Sequence, residues 1–392
     1  MARKYGWEVF CIYDGFANLG KGEKKFLPLD LDNVSRIYSE GGSILRMSRF
    51  NPTKSEAALK KVVDTLVSMG VTHLVSIGGD DTAYAASRVA DYATNTLGLS
   101  LSFVHVPKTI DNDLPLPEGI PTFGYETARA VGARVVANLM DDAMTTGRWY
   151  IVVAMGRSAG HLSLGIGKSA GATLTIIPEE FPGKGKIPAR LLADIIVGAM
   201  IKRLAEGRAH GVAVVAEGLL ERIRTEDLEH LGCLDLDDHG HVRYGEIDFA
   251  NVLKKEVQIV LDELKIKMPI TTKDVGYELR CAPPIAYDVD YTRNLGYAAF
   301  EFLRNGGSNA MITIQNNAIV PVSFKDIEDP VTKKTRVRLV NTDSVSYKIA
   351  RKYMIRLDPD DFDQGIEFDQ IALASNLPKE EFKKRFQYVT KY

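Results

Sequence analysis

Residues 55–82 read SEAALKKVVDTLVSMGVTHLVSIGGDDT, and this stretch decides the fold. Leu59, Val62, Val63, Leu66 and Val67 recur at helical spacing, Ser55 opens the pattern and Gly70 stops it, which predicts a helix over 55–70. Residues 73–77 then read as a short buried strand. Gly78-Gly79-Asp80-Asp81-Thr82 turns that strand into the next helix. The same grammar recurs along the chain. Strands are predicted at 101–106, 150–154, 172–177 and 211–216, with a helix at 126–143, and each strand runs into a loop bearing glycine, charge or both. Strand, turn and helix in alternation predict the α/β class with mostly parallel sheets. Ligands of such sheets bind at the carboxyl ends of the strands, so the loops there should carry the chemistry.

The 392 residues are 45% hydrophobic, enough for a large core in two or three domains. The 49 basic and 51 acidic residues are spread along the chain, so neither a nucleic-acid surface nor a polybasic membrane anchor is indicated. Cys11, Cys233 and Cys281 are widely spaced and fit neither a disulfide framework nor a zinc site, which points to the cytoplasm. The first residues have no apolar signal core, and no apolar run is long enough to span a bilayer. Residues 184–186 and 219–242 read as polar surface excursions, and the acidic run 358–363 as a solvated turn.

Five loops hold unusual residues. In Gly78-Gly79-Asp80-Asp81-Thr82, two glycines let backbone amides close on a phosphate at a positive helix end, and a carboxylate there can hold magnesium; a plain turn with an Asp cap explains the same residues. Pro107-Lys108-Thr109-Ile110-Asp111-Asn112-Asp113 crowds a lysine, a hydroxyl and two carboxylates after a strand, a costly grouping unless it binds something charged. An Asp in such a loop can act as a general base on an alcohol, and the Lys can neutralise phosphoryl oxygens. Met155-Gly156-Arg157 and Glu217-Gly218 each follow a strand and, alone, read more readily as strand ends with a surface charge. Tyr277-Glu278-Leu279-Arg280 offers an Arg that could grip a phosphate or make an ion pair.

Together and in this order, these motifs resemble the phosphofructokinase family over nearly the whole chain, from Ile12-Tyr13-Asp14-Gly15-Phe16 through Gly296. The resemblance implies two similar Rossmann-like three-layer domains facing each other across a cleft. Residues 1–124 with about 280–325 would form a donor domain, and 125–279 with about 326–392 a fructose 6-phosphate domain. It implies Asp111 as the base on the sugar C1 hydroxyl, with Thr109 and Asp113 beside it, and Asp80 as the magnesium ligand. Met155, Gly156, Arg157, Glu217, Tyr277 and Arg280 would line the sugar-phosphate site, with Arg148 reaching it from a neighbouring subunit of a homodimer or homotetramer. Gly78, Gly79, Asp81, Thr82, Lys108 and Arg49 would hold the donor.

Family members that use ATP have Gly where this chain has Asp81, and most also have Gly in place of Lys108. A carboxylate at Asp81 would occupy the space of a nucleotide's α-phosphate and repel its charge, while Lys108 supplies a cation beside pyrophosphate. The resemblance therefore implies a cytoplasmic, magnesium-dependent glycolytic transferase that uses pyrophosphate. An ATP-dependent enzyme and an inactive sugar-phosphate-binding chain are the alternatives. The family pattern begins with a strand and a Gly-Gly phosphate loop ahead of a helix leading into Trp7-Glu8-Val9-Phe10. This sequence is expected to start inside that helix, with the strand and loop missing.

Overall fold

Ser55 caps the first long helix, Glu56–Ser68, its hydroxyl accepting the Ala58 amide at 3.2 Å, and Gly70 ends it in the left-handed region at φ 70°. The buried face is Leu59, Val62, Val63, Thr65 and Leu66; Val67, expected on it, is exposed. A computed structural model of the chain describes residues 1–183, 185–233 and 244–392. It divides into two compact units, Met1–Ala128 with Arg280–Arg338 and Arg129–Leu279 with Leu339–Tyr392.

In the first unit β1 (Phe10–Ile12) pairs antiparallel with β2 (Phe26–Pro28), and the residues ahead of them, Ala2–Tyr5, form a 3-10 turn. The main sheet contains β3 (His73–Gly78), β4 (Ser102–Thr109), β10 (Ala310–Gln315) and β11 (Ala318–Ser323), with the short β5 (Phe123–Gly124) against the end of β4. β3, β4 and β10 run parallel, and β11 returns antiparallel beside β10. On one face Phe103 and Met311 pack with Val62, Leu66, Ala83 and Val89 from the helices Glu56–Ser68 and Asp80–Asp91. On the other, Val104, Val106 and Ile312 pack with Leu295, Ala298 and Leu303 of the helix Ala286–Arg304. A sheet covered on both faces makes its central strand apolar at successive positions, as Phe103 and Val104 are. β3 is less buried than the sequence implied: among the described residues it pairs with β4 alone, and Val75 and Ile77 are 43% and 56% exposed.

The second unit holds a four-stranded parallel sheet in the order β7 (Leu174–Ile176), β8 (Gly211–Ala216), β6 (Trp149–Ala154), β9 (Ile270–Val275). Every residue of β6 and β8 is buried. The helix Ala189–Ala205 is apolar almost all round and is buried against the helix Phe249–Glu263, which itself packs on β6 and β9. From the C-terminal end, Phe368, Ile371, Phe382 and Phe386 complete that core.

Two polar stretches behave differently from the reading of the sequence. Leu219, Leu220, Ile223, Leu228 and Leu231 are buried core residues, because a 3-10 turn over Glu217–Arg222 and a short helix over Thr225–His230 direct them inward. Asp227 there accepts the Ala189 amide at 2.9 Å and so caps the buried helix. Gly185 and Lys186 are exposed as expected, while Lys184 and residues 234–243 lie outside the described residues. In the acidic run, Asp361 is buried: it accepts the Asp358 amide and the Lys202 ammonium, both at 2.7 Å, which keeps its charge paired. Among the described residues no helix is long and apolar enough to cross a membrane.

Candidate functional site

In the first unit the carboxyl ends of β3 and β4 place two loops side by side. Gly78 closes β3, and a Cβ there would lie 2.4 Å from the Thr82 hydroxyl, so the turn into the helix Asp80–Asp91 requires glycine at that point. Gly79 is the N-cap residue and has no side chain to occupy the first-turn amides, with Asp80 half-buried and Asp81 exposed just inside the helix. Beneath the loop, His105 is fully buried and binds the Gly78 carbonyl at 3.1 Å and the Ser76 hydroxyl at 2.9 Å; burial pushes it down to about 4, so it is neutral. Its hydrogen on Nε2 serves Gly78, and Nδ1 accepts from Ser76.

The second loop leaves β4 at Lys108-Thr109, which pairs with Phe123-Gly124 of β5. The Thr109 hydroxyl accepts the Asp111 amide at 3.1 Å, and Asn112 stands in the left-handed region at φ 56°. Burial, with Arg280 nearby, lowers the Lys108 ammonium from its ordinary value, and Asp111 partly offsets this. Burial, with Asp111 and Asp80 close by, pushes the Asp113 carboxyl up to about 7. The structure thus brings Asp80, Lys108, Asp111, Asp113 and Arg280 into one electrostatic neighbourhood, and a Cβ added at Gly79 would lie 3.7 Å from the Thr109 Cβ. Arg49 is exposed on a separate loop, where the Ser48 hydroxyl donates to the Asp14 carbonyl at 2.8 Å.

This arrangement has a pH signature. The Asp113 pKa of about 7 lies above the value of about 4 for an unfolded Asp. Between those limits the folded chain keeps a proton that the unfolded chain has lost, so this group's contribution to stability is full below the lower limit and is lost as pH rises through the upper one. Asp113→Asn removes the buried charge, so thermal melts without added metal should show it raising Tm at pH 8 and changing it far less at pH 5. Equal shifts at both pH values would show that the carboxyl is not the strained group.

In the second unit the ends of β6, β8 and β9 converge. Gly156, at φ 135°, donates its amide to Glu217 Oε2 at 3.3 Å, and Gly218 donates to the Gly156 carbonyl at 3.2 Å. A Cβ on Gly218 would lie 2.5 Å from the Arg157 carbonyl, so the two loops can zip together only through glycine. Arg157 and Tyr277 project into solvent, the latter 78% exposed, and Met155 packs on Gly276 beside it. Arg148 does not join them. It precedes β6 whereas Met155 follows it, and six strand residues set these ends about 20 Å apart.

Several residues that organise these loops carry no motif in the sequence. Asp288 is buried and accepts from the Gly124 and Thr127 amides at 2.9 and 2.8 Å, securing the chain beyond β5. Glu179 accepts the Gly160 and Val340 amides at 2.9 and 3.0 Å, tying down the end of the Met155 loop. Thr335 donates to the Asp80 carbonyl at 3.0 Å, and Arg338 donates to the carbonyls of Asn112, Leu116, Pro117 and Ile120. These bonds keep residues 326–338 with the first unit, although the sequence reading released the chain to the second at about 325. Among the described residues no group of three His, Cys, Asp or Glu is placed to hold a metal alone. Magnesium asks less of a protein, one or two carboxylates with phosphate oxygens and water completing its shell, and Asp80 and Asp111, which both act on Asp113, are two carboxylates near one another that suit a cation of that kind.

Compared with known proteins, residues 1–303 match the family described as Phosphofructokinase. A pyrophosphate--fructose 6-phosphate 1-phosphotransferase of Naegleria fowleri is 47% identical over 98% of this chain and 89% of its own length. One of the same name from Thermotoga maritima is 46% identical over 98% and 92%. An ATP-dependent 6-phosphofructokinase of Mycobacterium tuberculosis is 31% identical over 82% and 86%. Among solved structures, a pyrophosphate-dependent phosphofructokinase from Nitrosospira multiformis superposes with a TM-score of 0.65 over 90% of this chain and 84% of its own, at 16% identity, a likeness of fold.

Proposed function

The chain belongs to the phosphofructokinase family, and on that premise we propose that it transfers a phosphoryl group from pyrophosphate to the C1 hydroxyl of fructose 6-phosphate. The products are fructose 1,6-bisphosphate and phosphate, and the reaction is a reversible step of glycolysis. The observation that carries this reading is the grouping of Lys108 and Asp111 with the Gly78-Gly79-Asp80-Asp81 turn, a base and a cation beside free helix amides.

Asp111 takes the proton of the C1 hydroxyl as the sugar oxygen bonds to phosphorus and the bridging bond of pyrophosphate breaks, releasing phosphate. Positioning and charge neutralisation supply most of the rate in such a transfer. Thr109 fixes the Asp111 amide, and Lys108 and Arg49 neutralise phosphoryl oxygens. Gly78, Gly79 and Thr82 shape the donor turn, and Asp81 keeps a nucleotide out of it. A magnesium ion held by Asp80 and the phosphate oxygens would screen the donor's charge. Met155, Gly156, Arg157, Glu217 and Tyr277 of the second unit hold the sugar phosphate, and Arg280 of the first, near Lys108, supplies a further cation for a phosphate. The unpaired Cys11, Cys233 and Cys281 suit a reducing cytoplasm. Incubating the chain with fructose 6-phosphate and either magnesium pyrophosphate or magnesium ATP tests the assignment. Fructose 1,6-bisphosphate is expected with pyrophosphate only, and product with ATP alone would overturn the choice of donor.

The separation of Arg148 from Arg157 along β6 supports a sugar site completed by a second copy of the chain in a homodimer or homotetramer. Arg148→Ala and Arg157→Ala should each be nearly inactive alone. Unfolded together and refolded, half the dimers are mixed and each mixed dimer has one intact site, so activity should return to about a quarter of wild type. If the refolded mixture stays as inactive as its parents, both arginines serve one chain's site.

A further inference from the structure

Asp111 is gripped on both sides. On its N-terminal side the Thr109 hydroxyl holds its amide at 3.1 Å. On its C-terminal side the next two residues are held by Arg338, far away in sequence. The Arg338 amide donates to the Asp113 carbonyl at 2.7 Å. Its Nε and Nη2 donate to the Asn112 carbonyl at 3.1 and 2.8 Å, and Nη2 also meets Asn112 Oδ1. Its Nη1 spans the carbonyls of Leu116, Pro117 and Ile120 at 3.3, 3.1 and 2.8 Å, closing the loop that follows. Asn112 Oδ1 also accepts the Thr122 amide at 3.0 Å, so one left-handed residue joins both ends of the loop to the guanidinium.

We propose that Arg338 is a positioning residue for the phosphoryl transfer, acting through the backbone of Asn112 and Asp113 to aim the Asp111 carboxylate. The inference rests on the reading of Asp111 as the base. The planar guanidinium presents five donors in a fixed fork, and the carbonyls it meets are spread over Asn112, Leu116, Pro117 and Ile120. An ammonium keeps the charge but cannot reproduce that fork. Three steps along the same segment, Thr335 holds the Asp80 carbonyl, so residues 335–338 brace both acidic loops.

The test is steady-state kinetics, calorimetry and thermal melting on Arg338→Lys, with Asn112→Gly as a second variant that accepts the left-handed backbone and removes the side chain that carries the shared oxygen. A misaimed base lowers kcat without weakening substrate binding. Arg338→Lys should therefore lose about 10- to 100-fold in kcat, while dissociation constants for fructose 6-phosphate and magnesium pyrophosphate stay within about twofold. Asn112→Gly should show the same pattern to a smaller degree. Combined with Asp111→Asn, Arg338→Lys should cost nothing further, because the group it aims is gone. Free guanidinium ion should restore part of the kcat of Arg338→Ala, where sodium chloride at equal ionic strength does not. Unchanged kcat in Arg338→Lys and Asn112→Gly, a loss that follows Tm and both dissociation constants, or a full multiplicative loss in the double variant would each overturn the proposal. If Arg338→Lys does not fold, Asn112→Gly carries the same outcomes. Failure of the base assignment is separate: it shows as normal turnover in Asp111→Asn alone.

Discussion

Asp111→Asn is expected to reduce turnover by about two to four powers of ten while fructose 6-phosphate affinity stays nearly constant, because it deletes a general base and keeps the side chain's shape. Two carboxylates compete for the proposed role, and they differ in exposure. Asp113 is only 4% exposed and its carbonyl is held by the Arg338 amide, whereas Asp111 is half-buried, which favours Asp111 as the base of the proposed reaction. Asp113→Asn should therefore cost much less turnover. Stopped assays in both directions on the two variants, with sugar-phosphate affinity measured by calorimetry, check the pair. Normal turnover in Asp111→Asn with a collapse in Asp113→Asn would move the base to Asp113.

The parallel strands and their loops were legible because both leave local marks. β6 and β8 are continuous apolar runs, as strands buried on both faces must be, and each ends in glycine and charge. The sugar-side glycines could be placed after β6 and β8, although their reason, the zipping of Gly156 against Gly218, needs the fold. What stayed hidden is held by single residues with no period. Arg338 sits in Thr335-Arg336-Val337-Arg338-Leu339, where alternation suggests an ordinary strand, and nothing local says that its partners are Asn112 and Ile120. Residues 219–231 look polar, yet Leu219, Leu220, Ile223, Leu228 and Leu231 form a buried set once a 3-10 turn and a short helix replace the expected loop. His105 and Asp361 show the same limit: a buried polar group becomes intelligible only when its partners, Gly78 and Lys202, are in place.

Replacing Asp81 by Gly is expected to admit ATP to the donor turn. Asp81 lies exposed in the first turn of the helix Asp80–Asp91, where helix amides favour an anion, and in the proposed reading its carboxylate repels a nucleotide's α-phosphate. Glycine there removes both bulk and repulsion, so nucleotide affinity should rise. Lys108, half-buried on the neighbouring strand end, neutralises the transferred phosphoryl in the proposed reaction. Removing such a group typically costs about 3 kcal/mol of transition-state stabilisation, roughly a hundredfold in rate, so Lys108→Gly should depress the pyrophosphate reaction by that order. Gly78 and Pro107 are paired across β3 and β4, which sets the two loops next to each other, and in the proposed reaction they share one ligand. The effects should therefore not add: in the double variant, ATP use should gain more than the two single changes predict, while pyrophosphate use falls further. Kinetics with both donors on the two single variants and the double variant measure that coupling. If Asp81→Gly neither binds nor uses ATP and keeps its pyrophosphate kinetics, the carboxylate is not what excludes the nucleotide, and the choice of donor must lie elsewhere in the turn.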